Sequence, residues 1–260
     1  MKKNLVLEYF GKNGILIDRY ISSGEVDAIL RLLRPLNSGH EMIRIGSQND
    51  GGYIAPNVLD GVTACFSPGV STNSSFELEL ADLGIRCFMA DYSVEAPPQK
   101  HPKFDFVKLY LDSVNTPTSI TLSDWMKQKD PGGDLILQMD IEGFEYAVIS
   151  STPSEVLSRF RIIILELHEF DSIVTAIGNL TIKNTLNRLL ENHSVVHVHP
   201  NNLGMPRKFQ NKCLPRGLEV TLLRNDFIRG TGFADNLPSL LDQPNSLIYP
   251  NFLLDQKWFS

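Results

Sequence analysis

Cysteine, positive charge and long apolar runs are all scarce in this chain, and each shortage closes a class of explanation. Three cysteines in 260 residues, Cys65, Cys87 and Cys213, are too few and too scattered for a zinc cluster, and their odd number suits no disulfide scaffold. Cys65 and Cys87 lie in apolar, strand-like runs, as buried free thiols in a reducing compartment do. Acids outnumber bases by 30 to 24, a net charge of −6, which argues against general binding to nucleic acid or to an anionic membrane surface. A local basic pocket stays open. No stretch approaches the roughly 20 apolar residues of a membrane span. The opening MKKNLVLEYFGKNG puts Glu8 inside a very short apolar run and does not read as a signal peptide. A cytoplasmic protein without a transmembrane segment is expected. Low-complexity tracts, internal repeats and long linkers are absent too, so an ordinary globular chain of one large or two small domains is expected.

What is there alternates. Strand-like runs are expected at 62–66, 86–90, 104–109, 134–139, 162–167, 195–199 and 218–223. Helical patterns stand between them, the longest over 172–192 with Ile173, Ile177, Leu180, Leu186, Leu189 and Leu190 on its apolar face. Ser74 and Glu77 have the spacing of a capping box. GEVDAILRLLRPL reads as an earlier helix and RIGSQNDGGYIAP as a Gly-rich turn of a hairpin or of a loop held close to something. The runs are short and apolar on both faces, which marks a doubly wound, mostly parallel α/β sheet covered by helices on both faces, with an antiparallel edge strand. The expected division is an N-terminal helical and loop extension over 1–60, a core over 61–230 and a C-terminal extension over 231–260. The last, Pro-rich and partly apolar, reads equally as a substrate lid or a dimer arm, and a homo-oligomer is compatible with it.

Ligands of open α/β sheets bind at the carboxyl ends of the strands, so the residues there carry the functional reading. After the first run, Gly69 permits a tight turn before a helix N-terminus. The G-x-G-x-x-G of a dinucleotide site is missing, and an ordinary strand-to-helix turn is the competing account. Asp91, about twenty residues on, suits the two hydroxyls of a ribose or a helix cap. Asp112 suits an adenine amino group or a turn. LILQMDIEGFEY ends a buried-looking strand in Asp140, Glu142 and Glu145, and the next run ends in Glu166, His168 and Glu169. Adjacent carboxylates repel unless a cation or a shared proton relieves them. These tips therefore point to a reaction centre or a metal, with Glu145 simply starting a helix whose dipole favours it. His197 and His199 share one strand face, followed by Asn201 and Asn202; they read either as structural or as polar recognition of a hydroxylated ligand.

The stretches RIGSQNDGGY, FSPGVSTNSSFE, MADYS, LQMDIEGFEYAVI, IIILELH, HVHPNN and LEVTLLRND together resemble the FkbM-type S-adenosylmethionine-dependent methyltransferases, in particular the branch found in glycan-modification contexts. They run from Arg44 to Asp226, and DIEGFE matches the family's D-x-E-G-x-E. The first loop departs from the commoner pattern of an acid and two glycines, since Ser67 stands for the acid and Asn73 for the second glycine. The resemblance implies a seven-strand class I methyltransferase fold and O-methylation of a hydroxyl, commonly on a sugar of a polysaccharide or glycosylated metabolite. It puts Asp50, Gly51, Ser67, Gly69, Asn73, Asp91, Asp112 and Asp140 around S-adenosylmethionine. It leaves Glu142, His197, His199, Asn201 and Asn202 for the carbohydrate acceptor. His168 is then the expected base, with Asp140 and Glu166 orienting it or joining it around a divalent metal, magnesium or calcium for so oxygen-rich a set. A nucleotide- or NAD-dependent enzyme and a non-catalytic glycan-binding or partner module are the alternatives.

Overall fold

The computed structural model describes residues 12, 18–235, 237–254 and 256–259. The opening MKKNLVLEYFGKNG lies outside the described residues, apart from Lys12. The chain runs through helix α1 (Ser23–Leu32), a hairpin of β1 (Met42–Gly46) and β2 (Gly52–Pro56), β3 (Val62–Pro68), α2 (Ser75–Asp82), β4 (Arg86–Ala90) and β5 (Phe104–Val107). It continues through a short pair, β6 (Tyr110–Leu111) and β7 (Ser119–Ile120), then α3 (Leu122–Lys129), β8 (Asp134–Met139), α4 (Glu145–Ser151), α5 (Ser154–Leu157) and β9 (Phe160–Leu167). Last come α6 (Ala176–Leu189), β10 (His193–Asn201), a small hairpin of β11 (Arg207–Phe209) and β12 (Lys212–Leu214), and β13 (Gly217–Arg224).

Seven strands form one sheet in the order β10-β13-β9-β8-β3-β4-β5. The pairs β3/β4, β3/β8, β4/β5 and β8/β9 are parallel, and β13 is antiparallel to both β9 and β10. The antiparallel strand thus lies one place inside the edge, with β10 outermost. Apolar Leu218, Val220, Leu222 and Leu223 suit β13 to the interior, while β10 carries His193, Ser194, His197 and His199. This is the expected doubly wound, mostly parallel sheet, with its antiparallel strand inside the edge. The strand order reverses between β3 and β8, so a crevice opens where their carboxyl ends diverge.

Alternation along the strands fills both faces. Leu135, Leu137 and Met139 of β8 join a large cluster with Val26, Ile29 and Leu30 of α1, Trp125 of α3, and Ile182, Leu186 and Leu189 of α6. Leu254, Trp258 and Phe259 close the same cluster, so α1 and residues 254–259 share one core with the sheet. Ile136, between them, faces the opposite cluster with Phe76 and Leu80 of α2 and Tyr53 and Ala55 of the hairpin. Phe66 packs edge-on against Trp125, with ring centroids 4.9 Å apart. Truncating it to alanine should cost about 3–5 kcal/mol.

Two local expectations change. Ser74 does precede α2, but its side chain makes no capping bond and its Oγ donates to Gln99 Oε1 instead. Glu77 is drawn inward to Ser67. The capping box belongs to Ser22 and Glu25 at α1. The long helix begins later than its apolar pattern suggests, because Thr175 caps it by accepting from Gly178 N. Ile173 sits in a preceding 3-10 turn, and Ile177 and Leu180 are exposed. No helix among the described residues is long and apolar enough to cross a membrane.

Candidate active site

Gly69 closes the crevice at the end of β3. Its φ of +89° is left-handed, and a Cβ there would lie 1.6 Å from the carbonyl oxygen of Asp140. Only glycine lets the two strand ends come this close. Two residues on, the N–H of Ser71 donates to Asp91 Oδ2 at 2.8 Å, and Asp91 Oδ1 accepts from both the N–H and the hydroxyl of Ser93 at 2.7 Å. The buried Asp91 carboxylate thus organises the loops after β3 and β4 and keeps about one acceptor site free, since its two oxygens offer about four.

These loops bound a cleft of about 520 Å³ lined by Gly69, Ser71, Asp91, Ser93, Asp112 and Asp140, with Tyr110, Leu111, Ile141 and Phe144 as apolar walls. Asp112 Oδ1 accepts from the N–H of Ser113. Tyr110 packs against Tyr92 with the rings tilted by 45° and their centroids 5.1 Å apart. A recess of about 90 Å³ shares the wall at Gly69, Ser71 and Asp140 and adds Asp50, Gly51, Tyr53, Asn73, Glu77 and Gln138. Asn73 Nδ2 donates to the carbonyl of Asp50, tying the β1–β2 turn to the β3 loop. Ser67 faces none of these spaces. It is fully buried, bonded to Glu77 and, at 2.6 Å, to Gln138. Glu77 thereby sets a buried carboxylate against the Ser67 hydroxyl at the wall of the recess.

A third cavity, about 260 Å³, is lined by Asp50, Asp140, Glu142, Glu166, His168, Glu169, Asn201, Leu203, Arg216 and Gly217. Asp140 borders all three cavities. After β8 the chain turns through two left-handed residues, Glu142 (φ 56°) and Gly143 (φ 103°), before α4 begins. This turn and the end of β9 bring four acids around one ring. His168 Nδ1 lies 2.9 Å from Glu145 Oε1, and His168 Nε2 lies 3.5 Å from Glu142, 3.7 Å from Asp140 and 3.9 Å from Glu166. Asn201 Nδ2 donates to Glu166 Oε1.

Burial works against charge on His168, but the bond to Glu145 and the charges of Glu145, Glu166 and Asp140 outweigh it and lift its pKa to about 9. Burial pushes Asp140 up to about 7, with His168 opposing and Glu142 and Asp50 reinforcing. Glu166 is held well above the carboxylate range by burial and by Asp140 and Glu219. Protons in so tight a set belong to the group rather than to one residue. Ligand atoms of Asp140, Glu142 and His168 lie within 4.8 Å of one another. Glu166 contributes no atom to that trio.

His197, His199 and Asn202 open onto none of the three cavities. His197 Nε2 and His199 Nδ1 flank Asp242 Oδ1 at 3.0 and 3.4 Å, and Asn202 bonds Ser246 and Tyr249. The polar end of β10 therefore anchors the C-terminal segment, and Asn201 alone of the four faces the acid pocket. Residue types by themselves did not reveal Tyr110, Leu111 and Phe144 as cleft walls, although Tyr110 and Leu111 directly precede Asp112. Nor did they reveal that Glu145 holds His168.

No curated protein matches the chain. Among solved structures it is similar to one from a study of the conversion of a disulfide bond into a thioacetal group during echinomycin biosynthesis, with 12% identity, 62% of this chain and 76% of that one covered, and a TM-score of 0.30. It is also similar to the plantazolicin methyltransferase BpumL in complex with SAH, with 13% identity, 63% and 76% covered, and a TM-score of 0.29. The family model described as the methyltransferase FkbM domain matches residues 92–194. That stretch contains Asp112, Asp140, Glu142, Glu145, Glu166 and His168, and begins just after Asp91. Over residues 92–194 the chain is thus similar to the methyltransferase FkbM domain.

Proposed function

We propose that the protein is an S-adenosylmethionine-dependent O-methyltransferase acting on a hydroxyl of a sugar or glycan. The observation that carries this reading is Asp140, one side chain walling both the large cleft and the acid–imidazole pocket. The cleft suits the cofactor in size, since small-molecule sites run from about 300 to 1,000 Å³. Its chemistry suits a cation with a nucleoside attached. Lining the cleft and recess, Asp91 and Asp112 would meet hydroxyl and amino groups, Tyr110, Leu111, Ile141 and Phe144 an aromatic base, and Asp50 and Asp140 positive charge. Bound there, the cofactor supplies an electrophilic methyl group on a sulfonium.

The chain's own contribution is positioning and proton acceptance. Well-oriented reactants reach effective molarities of roughly 10⁵ M or more. A neutral hydroxyl is a poor nucleophile and must give up its proton as the new bond forms. Asp140 takes it, as the carboxylate that borders both the cleft and the acid pocket. His168, kept charged by its acidic neighbours, steadies the Asp140 carboxylate. Glu142, Glu166, Glu169, Asn201 and Arg216 offer the donors and acceptors that a polyhydroxylated acceptor needs.

A second reading rests on the trio of Asp140, Glu142 and His168. These residues would hold a divalent cation, magnesium or calcium for such hard ligands, and the cation would acidify the acceptor hydroxyl. Glu145 at His168 Nδ1 suits either role, since it leaves Nε2 facing the acids.

The test is calorimetric titration with S-adenosylmethionine and its demethylated product, with magnesium and again with a chelator, followed by methyl transfer to glycan acceptors by the parent, His168→Ala and Asp140→Asn. Cofactor binding that survives chelation, with transfer reduced about 10²–10⁴-fold in both variants, supports the proton-acceptor reading. Transfer lost on chelation selects the metal. No cofactor binding under either condition sinks the enzyme reading and favours a non-catalytic module.

A further inference from the structure

Glu145 opens helix α4, where a carboxylate ordinarily faces solvent beside the free N–H groups of the first turn. Here it is fully buried. One oxygen, Oε1, accepts from three donors: the N–H of Ile141 at 3.0 Å, the N–H of Gly143 at 3.3 Å and His168 Nδ1 at 2.9 Å. The other oxygen, Oε2, is buried and has no hydrogen-bond partner among the described residues. For stability alone this is a poor arrangement, because a buried carboxylate oxygen without a donor keeps its full desolvation cost.

What the arrangement does provide is a fixed relation between two strand ends. Ile141 and Gly143 belong to the turn that carries Asp140 and Glu142, and His168 stands just beyond β9. Glu142 in that turn is held at a φ of 56°, a conformation a non-glycine residue keeps only when its surroundings demand it. The same Glu145 oxygen that secures the turn orients the ring, directing Nδ1 inward and Nε2 toward Asp140, Glu142 and Glu166. The next residue completes the hold, as Tyr146 donates its hydroxyl proton to the backbone carbonyl of His168 at 2.8 Å.

We propose that Glu145 is a positioning residue for the transfer reaction, setting the distance between the Asp140 carboxylate and the His168 ring through a shared oxygen. It touches neither cofactor nor acceptor, since it lines none of the three cavities. The inference rests on the methyltransferase reading for its kinetic consequence but not for its geometry.

Glu145→Gln retains an oxygen for the two loop N–H groups while removing the charge opposite the ring. The expected result is an unfolding temperature within a few degrees of the parent, unchanged cofactor affinity, and a kcat lower by about ten- to a hundredfold, as for other partners that orient a working histidine. Acceptor KM should move far less than kcat. In ¹⁵N-histidine-labelled parent protein, the Nδ1 proton of His168 should give a downfield, slowly exchanging signal, absent in Glu145→Ala. A Glu145→Gln variant with kcat within twofold of the parent overturns the proposal. So does a parent whose His168 Nδ1 proton exchanges as freely as in solvent. Should the variants fail to fold, the spectrum of the parent decides alone. Should the parent transfer no methyl group, the function proposed above fails, while the spectrum still decides whether Glu145 holds the ring.

Discussion

Asn202 grips Ser246 by both of its backbone groups: its Nδ2 donates to the Ser246 carbonyl at 2.8 Å, and its Oδ1 accepts from the Ser246 N–H at 2.8 Å. Nearby, Asn245 Nδ2 donates to Glu219 Oε1 at 2.6 Å, and Asp242 sits between His197 and His199. The polar ends of β10 and β13 thus fasten the segment that follows Pro238.

That fastening should depend on pH. Burial disfavours charge on His199, but its bond to Asp242 and the charge of Glu219 outweigh it and raise its pKa. Its contribution is therefore complete below the unfolded value of about 6.5 and lost as pH rises through the raised folded value. Asp242 is the reverse case. Burial opposes its charge, yet the two histidines hold it far below the carboxylate range, so its contribution disappears only in strong acid. Amide exchange over 237–254, corrected for intrinsic rates, should be slowest between about pH 4 and 6.5 and should quicken on the alkaline side. Asp242→Asn should quicken it throughout. Exchange that ignores pH and this substitution would dismiss the anchor.

Gly69→Ala should be among the most damaging single changes. The new methyl group meets the Asp140 carbonyl oxygen, and the residue must keep a left-handed φ. A loss of about 3–5 kcal/mol in denaturant unfolding is expected, together with loss of cofactor binding. Parent-like stability would mean that β3 and β8 do not converge as described.

Asp91→Ala removes the acceptor for Ser71 N–H and for both Ser93 groups. A weakening of about 1–3 kcal/mol in both folding and cofactor affinity follows from leaving such donors unpaired. Calorimetry with S-adenosylmethionine reads the second effect. An unchanged affinity would remove Asp91 from the cofactor site.

Glu77 tests the buried network behind the cleft. Burial pushes its pKa up to about 7, against the opposing bond from Ser67. Its folded pKa exceeds the unfolded one, so the native state binds more protons between the two values and stability falls as pH rises through that window. The slope amounts to about 3 kcal/mol between roughly pH 4.5 and 7. Glu77→Gln should flatten this decline and leave the protein more stable at pH 8. A variant that is less stable at pH 8 would show that the ionised form is the one the fold selects.

How much of this was legible in the chain depends on the range of the physics involved. The strands of the sheet could be read because buried parallel strands are apolar on both faces, a local signal. Asp140, Glu166 and His168 could be read because strand tips in an open sheet converge. Glu145 could not, since its role depends on His168, 23 residues away across a strand end. The spacing of Ser74 and Glu77 matches that of Ser22 and Glu25, yet only the second pair caps a helix, because Ser67 and Gln138 draw the first pair's network inward. His197, His199 and Asn202 carried a polar signal without an address. Their partners lie about 45 residues on, beyond the sheet, and no local pattern points to them.

Asp140 belongs to the walls of three spaces at once, and that has a consequence for the order of events. A ligand entering any one of them changes the field and the proton occupancy that the other two present. Occupancy of the large cleft and of the acid pocket is then expected to be energetically linked, and linkage is reciprocal. Whatever factor a ligand in the cleft adds to affinity in the acid pocket, a ligand in the pocket returns to the cleft, so on the proposed function the two half-reactions meet on a single carboxylate.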